Sequence, residues 1–408
     1  MSLTAVSVTP LRLAHDSRAY RAALSFKRFG WHSVVVEAEP SVIDRADLPF
    51  SLISLSGKGG SKGAASATVR SALRRLLPGI IWECGTFVWF LFTIFVVNVV
   101  RGFVRVPRAD LYYLHEYRLF PMVYPLAKRC GAKIVYDAHD FYPGVHADRD
   151  LTAFWRHVFR PFLVWLEGLC IRRADAMVTV NQGIADLYKE TFGADAQVTR
   201  NCHDPEMVMP VDRGLRETLG LSQSDFLLVT VGNRKPGQHV APALDAMAAL
   251  PPDVHLSFVG RGYEALAEDI SALGLGGRVH VLPPVRADQV VPFIASADAA
   301  LILYYGRSQN DEHFLPNGFF QGIAARLPVL YPGLRWIKET AEAFDIGFEI
   351  DPGDADGISA GVERLRKRIA ADGMADALDR AVGENSWQME ERVLKELTDR
   401  VLGTGNDA

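Results

Sequence analysis

The feature that most constrains this chain is an alternation, run through twice. Short, nearly all-apolar runs bounded by turn residues take turns with longer segments whose apolar residues recur at helical spacing. In the first series the strand candidates are AVSVT, HSVVVEAEP, SLISLS, ADLYYLHEY, AKIVYDAHD and DAMVTVN. Between them lie helical runs such as SRAYRAALSFKRFG, FPMVYPLAKRCG, LTAFWRHVFRPFLVWLEGLCIRRA and QGIADLYKETFG. A second series begins near Asp225 with FLLVTVG, VHLSFVG, RVHVLP, AALILYY, PVLYPG and IGFEID as strands. Strands apolar on both faces belong in a parallel sheet covered by helices on each side. The pattern predicts an α/β chain of two Rossmann-like domains, residues 1–206 and 207–386, joined near RNCHDPEMVMPVDR and followed by a helical segment over 387–408. In such sheets ligands bind outside the carboxyl ends of the strands, so the expected site is a cleft between the domains.

A length of 408 residues suits two domains, and 49% hydrophobic with 23% charged residues is ordinary globular composition. The net charge of −4 argues against a general nucleic-acid binder. Cys84, Cys130, Cys170 and Cys202 form no C-x-x-C pair and read as reduced, mostly buried thiols of a cytoplasmic protein. The histidines and cysteines lack metal-ligand spacing, so no metal cluster is expected. The opening MSLTAVSVTPLRLAHDSRAY has no basic start followed by a long apolar region, and no secretory signal is expected.

One stretch looks like membrane. IIWECGTFVWFLFTIFVVNVV, residues 80–100, meets the length rule of about 20 apolar residues for a span. Yet SLISLS before it and ADLYYLHEY after it both read as strands of one parallel sheet, and one sheet cannot straddle a bilayer. The expectation is a crossover helix, residues 79–104, whose outer face enters the membrane surface. Trp82, Phe87, Trp89, Phe90, Phe92 and Phe95 would meet lipid, and Arg74, Arg75, Arg101, Arg105 and Arg108 would meet anionic headgroups. The competing reading is a helix fully buried in the domain core. Upstream, SLSGKGGSKGAASATVR reads as a mobile Gly/Ser-rich loop.

Four segments, in order, carry a resemblance. They are HDSRAYRAALSFKRFGWHSVVVEA, IVYDAHDFYPG, VTVNQGIADLY and FLPNGFFQGIAARLPVL. Together they resemble the retaining glycosyltransferases of GT-B fold that build bacterial polysaccharides and glycolipids, often called group 1. The likeness covers nearly the whole chain. It implies two Rossmann-like domains with a cleft between them, an acceptor-side N-terminal domain, a nucleotide-sugar-binding C-terminal domain, and a C-terminal helix that packs back toward the N-domain.

The residues support the implied chemistry. A helix N-terminus offers free N–H groups and partial positive charge, which suits a diphosphate. LPNGFFQ makes such a start: Pro316 stiffens it, Asn317 caps it or lies in its first turn, and Gly318 would let a ligand approach the backbone. Gln321 lies one turn on, on the same face as Asn317. The resemblance implies a ribose-binding glutamate at Gln321, a glutamate near the transferred sugar at His313 (Glu312 is beside it), and a lysine at Gly318, so this sequence departs from the family at three places. Phe314 and Leu315 complete the donor segment. In GNRKPG, Arg234 and Lys235 follow a strand, where their charges can stabilise a leaving diphosphate, with Gly232 and Asn233 beside them. Gly260, Arg261 and Gly262 form a second loop, where the glycines would permit close approach to the nucleotide. His139, just past a strand, is the residue that the resemblance puts near the transferred sugar. One of Asp137 and Asp140 would cap or brace that loop. Asp16, Arg18 and Asp140 are candidate acceptor-side contacts, the first two read as lying in the first loop.

The expected activity is transfer of a sugar from a nucleotide diphosphate sugar to a lipid-linked or saccharide acceptor, with retention, without a cofactor and without a metal. The expected location is the cytoplasmic face of the cell membrane, with the membrane surface as partner and no nucleic acid. Two alternatives stay open: a nucleotide-sugar epimerase of the same shape, and a catalytically impaired relative serving as a partner subunit.

Overall fold

A computed structural model describes residues 2–41, 43, 45, 48–56, 79–147, 152–235, 237–306, 309–371 and 373–404. Most of the Gly/Ser-rich loop, together with Arg74 and Arg75, lies outside the described residues. The chain divides into two compact units, residues 1–199 with 391–408, and residues 200–390.

The first unit is built on strands β1 (Thr4–Thr9), β2 (His32–Glu37), β3 (Ser51–Ser54), β4 (Leu111–Leu114), β5 (Lys133–Ala138), β6 (Ala176–Thr179) and β7 (Gln197–Val198). They form one sheet in the order β3-β2-β1-β4-β5-β6-β7, with every neighbouring pair parallel. The strands are apolar because helices cover both faces: Val6, Val8, Tyr112, Leu114 and Tyr136 are buried in one cluster. The helix Ser17–Arg28 starts where Asp16 accepts a hydrogen bond from the Ala19 N–H at 3.0 Å.

The second unit repeats the plan. Strands β8 (Phe226–Val231), β9 (Val254–Val259), β10 (Val279–Leu282), β11 (Ala299–Leu301), β12 (Val329–Pro332) and β13 (Gly347–Ile350) pair in the order β10-β9-β8-β11-β12-β13, again all parallel. In both sheets the order reverses beside the first strand of the unit, which is the switch point where ligands bind such folds. Two helices that the sequence reading did not name, Ala355–Ala370 and Ala375–Glu384, follow β13. The last helix, Trp387–Leu402, begins in the second unit, where the Trp387 N–H donates to the His203 carbonyl at 2.9 Å. Its continuation belongs to the first unit, where Glu391 pairs with Arg28 at 3.0 Å and the Lys395 ammonium sits over the Phe29 ring.

The apolar stretch forms a helix over Gly79–Arg105. It connects β3 to β4, two strands of one sheet, as the sequence argument required. It is not a buried core helix: over Gly79–Phe92 no residue is buried, and Val88, Trp89, Val100 and Val104 are all more than half exposed. Among the cysteines, Cys170 and Cys202 are buried while Cys84 is exposed and Cys130 is intermediate, so only half meet the expectation of burial.

Candidate active site

In the second unit the candidate donor residues gather at the carboxyl end of β8. The loops after β8 and β9 are zipped together. Arg234 N–H donates to the Arg261 carbonyl at 2.8 Å, and Arg261 N–H donates to Asn233 Oδ1 at 3.0 Å. A Cβ on Gly260 would come within 2.1 Å of the Gly232 carbonyl oxygen, and one on Gly262 within 3.2 Å of Arg234 Cβ. These glycines therefore admit the neighbouring loop, a packing reason for glycine that the sequence did not show. Asn233 is likewise spent on Arg261.

Arg234 and Lys235 remain exposed, and neither forms an ion pair among the described residues. Lys235 Nζ lies 4.6 Å from the centre of the Phe314 ring, which in turn packs on Tyr304 at 4.4 Å. So the two cations and the donor segment share one surface.

The helix Asn317–Ala324 begins there. Pro316 is its extended N-cap residue, no side chain caps it, and Asn317 is its first, exposed residue. Gly318 is buried. A Cβ at that position would sit 2.6 Å from the Val231 carbonyl oxygen, the last residue of β8. The backbone that approaches Gly318 on the side of its missing Cβ is thus the protein's own. Gly322 repeats this one turn on, where a Cβ would lie 3.0 Å from Ala300 Cβ. Phe319, Phe320 and Ile323 are fully buried below. Gln321 is 9% exposed, and its amide has no hydrogen-bond partner among the described residues. Leu315 belongs to the core. His313 accepts a hydrogen bond at Nδ1 from the Trp336 indole N–H at 3.0 Å, which puts the proton of a neutral ring on Nε2.

Sequence reasoning missed Gln238. It is buried, and its Oε1 accepts from the Lys235 N–H at 3.1 Å and the Tyr263 hydroxyl at 3.0 Å, while its Nε2 has no partner among the described residues. A polar side chain between Gly237 and the start of an apolar helical run was the only available signal.

In the first unit the carboxyl ends of β1, β4 and β5 hold a buried charge cluster. Arg18 does not lie in a loop. It is in the first turn of the helix Ser17–Arg28 and is buried. Its Nε and Nη2 donate to the two oxygens of Asp137 at 2.7 and 2.8 Å, and its Nη1 and Nη2 donate to the carbonyl and hydroxyl of Thr199 at 2.8 and 2.7 Å. Asp16 is also buried and accepts from Thr9 Oγ1 at 2.5 Å as well as from the Ala19 N–H. Both residues are therefore committed to internal partners, against the expectation of acceptor contacts. Asp137 is the brace.

His115, just past β4, lies with Nδ1 3.5 Å from Asp137 Oδ2 and 3.3 Å from His139 Nε2. His139 Nε2 is 3.7 Å from the same carboxylate oxygen, and the ring keeps partial exposure. Asp137 thus faces the Arg18 guanidinium on one side and the two imidazoles on the other. Burial pushes the Asp137 carboxyl up, but the Arg18 charge and the two imidazoles overcome it and hold it well below its ordinary value. Burial likewise opposes ionisation of Asp16, and His115, His139, Thr9 and Ala19 outweigh it, for a net lowering. For His139 burial pulls the pKa down, yet the charge and hydrogen bond of Asp137 raise it overall. Asp140 follows, half-buried, its carbonyl accepting from the Tyr188 hydroxyl at 3.0 Å.

The fold brings His115, Asp137 and His139 close enough to hold a metal, a grouping invisible in the sequence. The donor set does not suit one. Arg18 already occupies both Asp137 oxygens, and its charge would oppose a cation at that spot.

Residues 17–201 match the family described as glycosyl transferase 4-like domain, and residues 212–372 match glycosyl transferases group 1. The chain belongs to the group 1-like glycosyltransferases. No curated protein matches this glycosyltransferase in sequence. Among solved structures it is similar to sucrose-phosphate synthase from Thermosynechococcus elongatus, with 13% identity, 99% of this chain and 100% of that chain covered, and a TM-score of 0.71. It is similar to Alr3699/HepE from Anabaena, solved in complex with UDP-glucose, with 14% identity, coverage of 97% and 100%, and a TM-score of 0.66. It is also similar to α,α-trehalose 6-phosphate synthase from Burkholderia multivorans, with 12% identity, coverage of 99% and 98%, and a TM-score of 0.63. At these identities the likeness is one of fold, and the fold is GT-B.

Proposed function

We propose that this glycosyltransferase takes its sugar from a nucleotide diphosphate sugar and moves it, with retention, to a lipid-linked or saccharide acceptor at the cytoplasmic face of the cell membrane. The observation that carries the reading is the surface at the end of β8: two exposed cations, Arg234 and Lys235, beside a helix start that no side chain caps. Those groups suit a diphosphate leaving group, and they can take the part a metal plays elsewhere. The UDP-glucose bound by the Anabaena relative makes uridine nucleotides the first donors to try.

Retention is supported by how the carboxylates of the first unit's charge cluster are engaged. Inversion needs a general base to activate the acceptor. Among the described residues of the charge cluster, Asp16 and Asp137 are committed to internal donors, and His139 holds its proton more tightly than usual. With its pKa raised, His139 can serve as a hydrogen-bond donor to a sugar or phosphate oxygen. The apolar helix Gly79–Arg105 is what favours a lipid-linked acceptor.

Calorimetric titration with UDP, GDP, ADP and CMP, without added metal, tests the donor half. One nucleotide should bind selectively, and Lys235→Ala should weaken it about tenfold, the worth of one charge-assisted hydrogen bond. No binding to any of them by folded protein would favour the impaired partner subunit, with Gly318, His313 and Gln321 as the cause.

A further inference from the structure

The outer face of the helix Gly79–Arg105 has its polarity reversed. A helix on a water-facing surface turns polar residues outward. Here Ile81, Val88, Phe92, Val96, Val100 and Phe103 are exposed, with Val88 at 63% and Val100 at 59%. Their spacing of seven, four, four, four and three residues draws one stripe along the whole helix. An exposed apolar patch of that extent marks an interaction site.

The opposite side is fixed to the first unit along its length. Near the start, Phe87 meets Phe159 and Phe162 at 5.0 and 5.4 Å, and Phe90 meets Phe159 at 5.1 Å. Ile94 is buried in the middle. Near the end, a Cβ on Gly102 would strike Met122 at 2.5 Å, and Arg105 Nη1 donates to the carbonyls of Ser54 and Leu55 at 3.0 and 2.9 Å. A helix seated at both ends on one domain cannot also cross a bilayer. The helix Arg160–Arg173, whose membrane role the sequence did not suggest, extends the same face. Its Trp165 is 51% exposed and packs on Phe162, which reaches Phe95 of the first helix at 6.4 Å.

We propose that these two helices form a single platform that lies in the interface of an anionic bilayer, with Trp89 and Trp165 at headgroup level. Charge decides for lipid. Over residues 79–108 the only acid is Glu83, against Arg101, Arg105 and Arg108, while Arg156 precedes the second helix and Arg160 opens it, all on a chain of net charge −4. A basic rim around an apolar, aromatic stripe is the composition of an interfacial anchor. The inference deepens the membrane part of the reading above and does not depend on transfer activity.

The test is co-sedimentation of the full chain with phosphatidylcholine vesicles, with and without phosphatidylglycerol. Binding should require the anionic lipid and weaken with salt. Phe92→Asp combined with Val96→Asp should reduce it at least about tenfold, since two buried apolar side chains are lost. Trp165→Ala should reduce it by a smaller factor. Arg101→Gln with Arg108→Gln should remove most of the dependence on phosphatidylglycerol. Absence of vesicle binding by the wild type, including self-association through this face in its place, would overturn the proposal. So would unchanged binding by the Phe92/Val96 variant, equal binding to neutral vesicles, or release only by detergent, which would mean a spanning helix. Nucleotide titration of the same samples keeps failure of the platform apart from failure of the donor-site reading, and thermal melting followed by circular dichroism reports that each variant is folded.

Discussion

Arg18→Met is expected to destabilise the first unit by about 3–5 kcal/mol, the cost of leaving a buried carboxylate without its partner. Asp137 is fully buried, and the two strongest bonds it accepts both come from Arg18. The same guanidinium satisfies the carbonyl and hydroxyl of Thr199, so one side chain ties the first helix to the ends of β5 and β7, segments 119 and 181 residues away. Urea denaturation followed by circular dichroism measures the effect, and a loss below about 1 kcal/mol would mean that water or a rearranged histidine takes over the arginine's place. The cluster also sets a pH dependence. The pKa of His139 is raised above 6.5 in the folded chain, so its contribution is fully present below that value and is lost as pH rises through the folded pKa. Asp137 and Asp16 act in the opposite sense: their pKa values are lowered from 3.8, so their contribution is present above that value and is lost as pH falls through the lower folded values. His139→Gln should therefore flatten the decline of melting temperature just above pH 6.5 and also shrink the acid limb in part, because His139 is one of the groups that lower Asp137 and Asp16. An unchanged alkaline limb would show that His139 does not carry the proton.

The cluster was hidden from sequence for a physical reason. Apolar strands announce themselves locally: β1, β2, β5, β8 and β9 each read as strands because the parallel sheet buries both of their faces. An arginine and its aspartate 119 residues apart carry no such mark, and Arg18 looks like any cation in the first turn of a helix. His139 stood out from its motif, whereas His115 had only its place one residue past an apolar strand. β7, two residues long, has too few positions to show a period. The helix Ala355–Ala370 is different, because its buried Ile358, Val362 and Leu365 do follow helical spacing and the signal was there to be read. The apolar helix shows the converse case. Its length suggested a span, and the reading of SLISLS and ADLYYLHEY as strands of one sheet argued against that from the sequence, but the pairing of the sheet and the helix's seating on Phe159 and Phe162 needed coordinates.

Gly318→Lys should damage the donor side rather than repair it, although the family places a lysine there. A glycine in a motif says only that some backbone comes close, and here it is the carbonyl of Val231, 2.6 Å from where a Cβ would be. The helix cannot lift away cheaply, because Phe319 and Phe320 are buried beneath it and Gly322 is already in tight contact with Ala300. Overpacking of this kind costs about 1–3 kcal/mol, and relief by shifting the helix start would carry Asn317 and Gln321 out of place. The expected result is a lower melting temperature together with nucleotide affinity at least about tenfold weaker than wild type, despite the added positive charge. Tighter nucleotide binding at unchanged stability would mean that the helix start yields to a side chain, and that the missing lysine, not the packing of Gly318 on β8, limits how this enzyme holds a diphosphate.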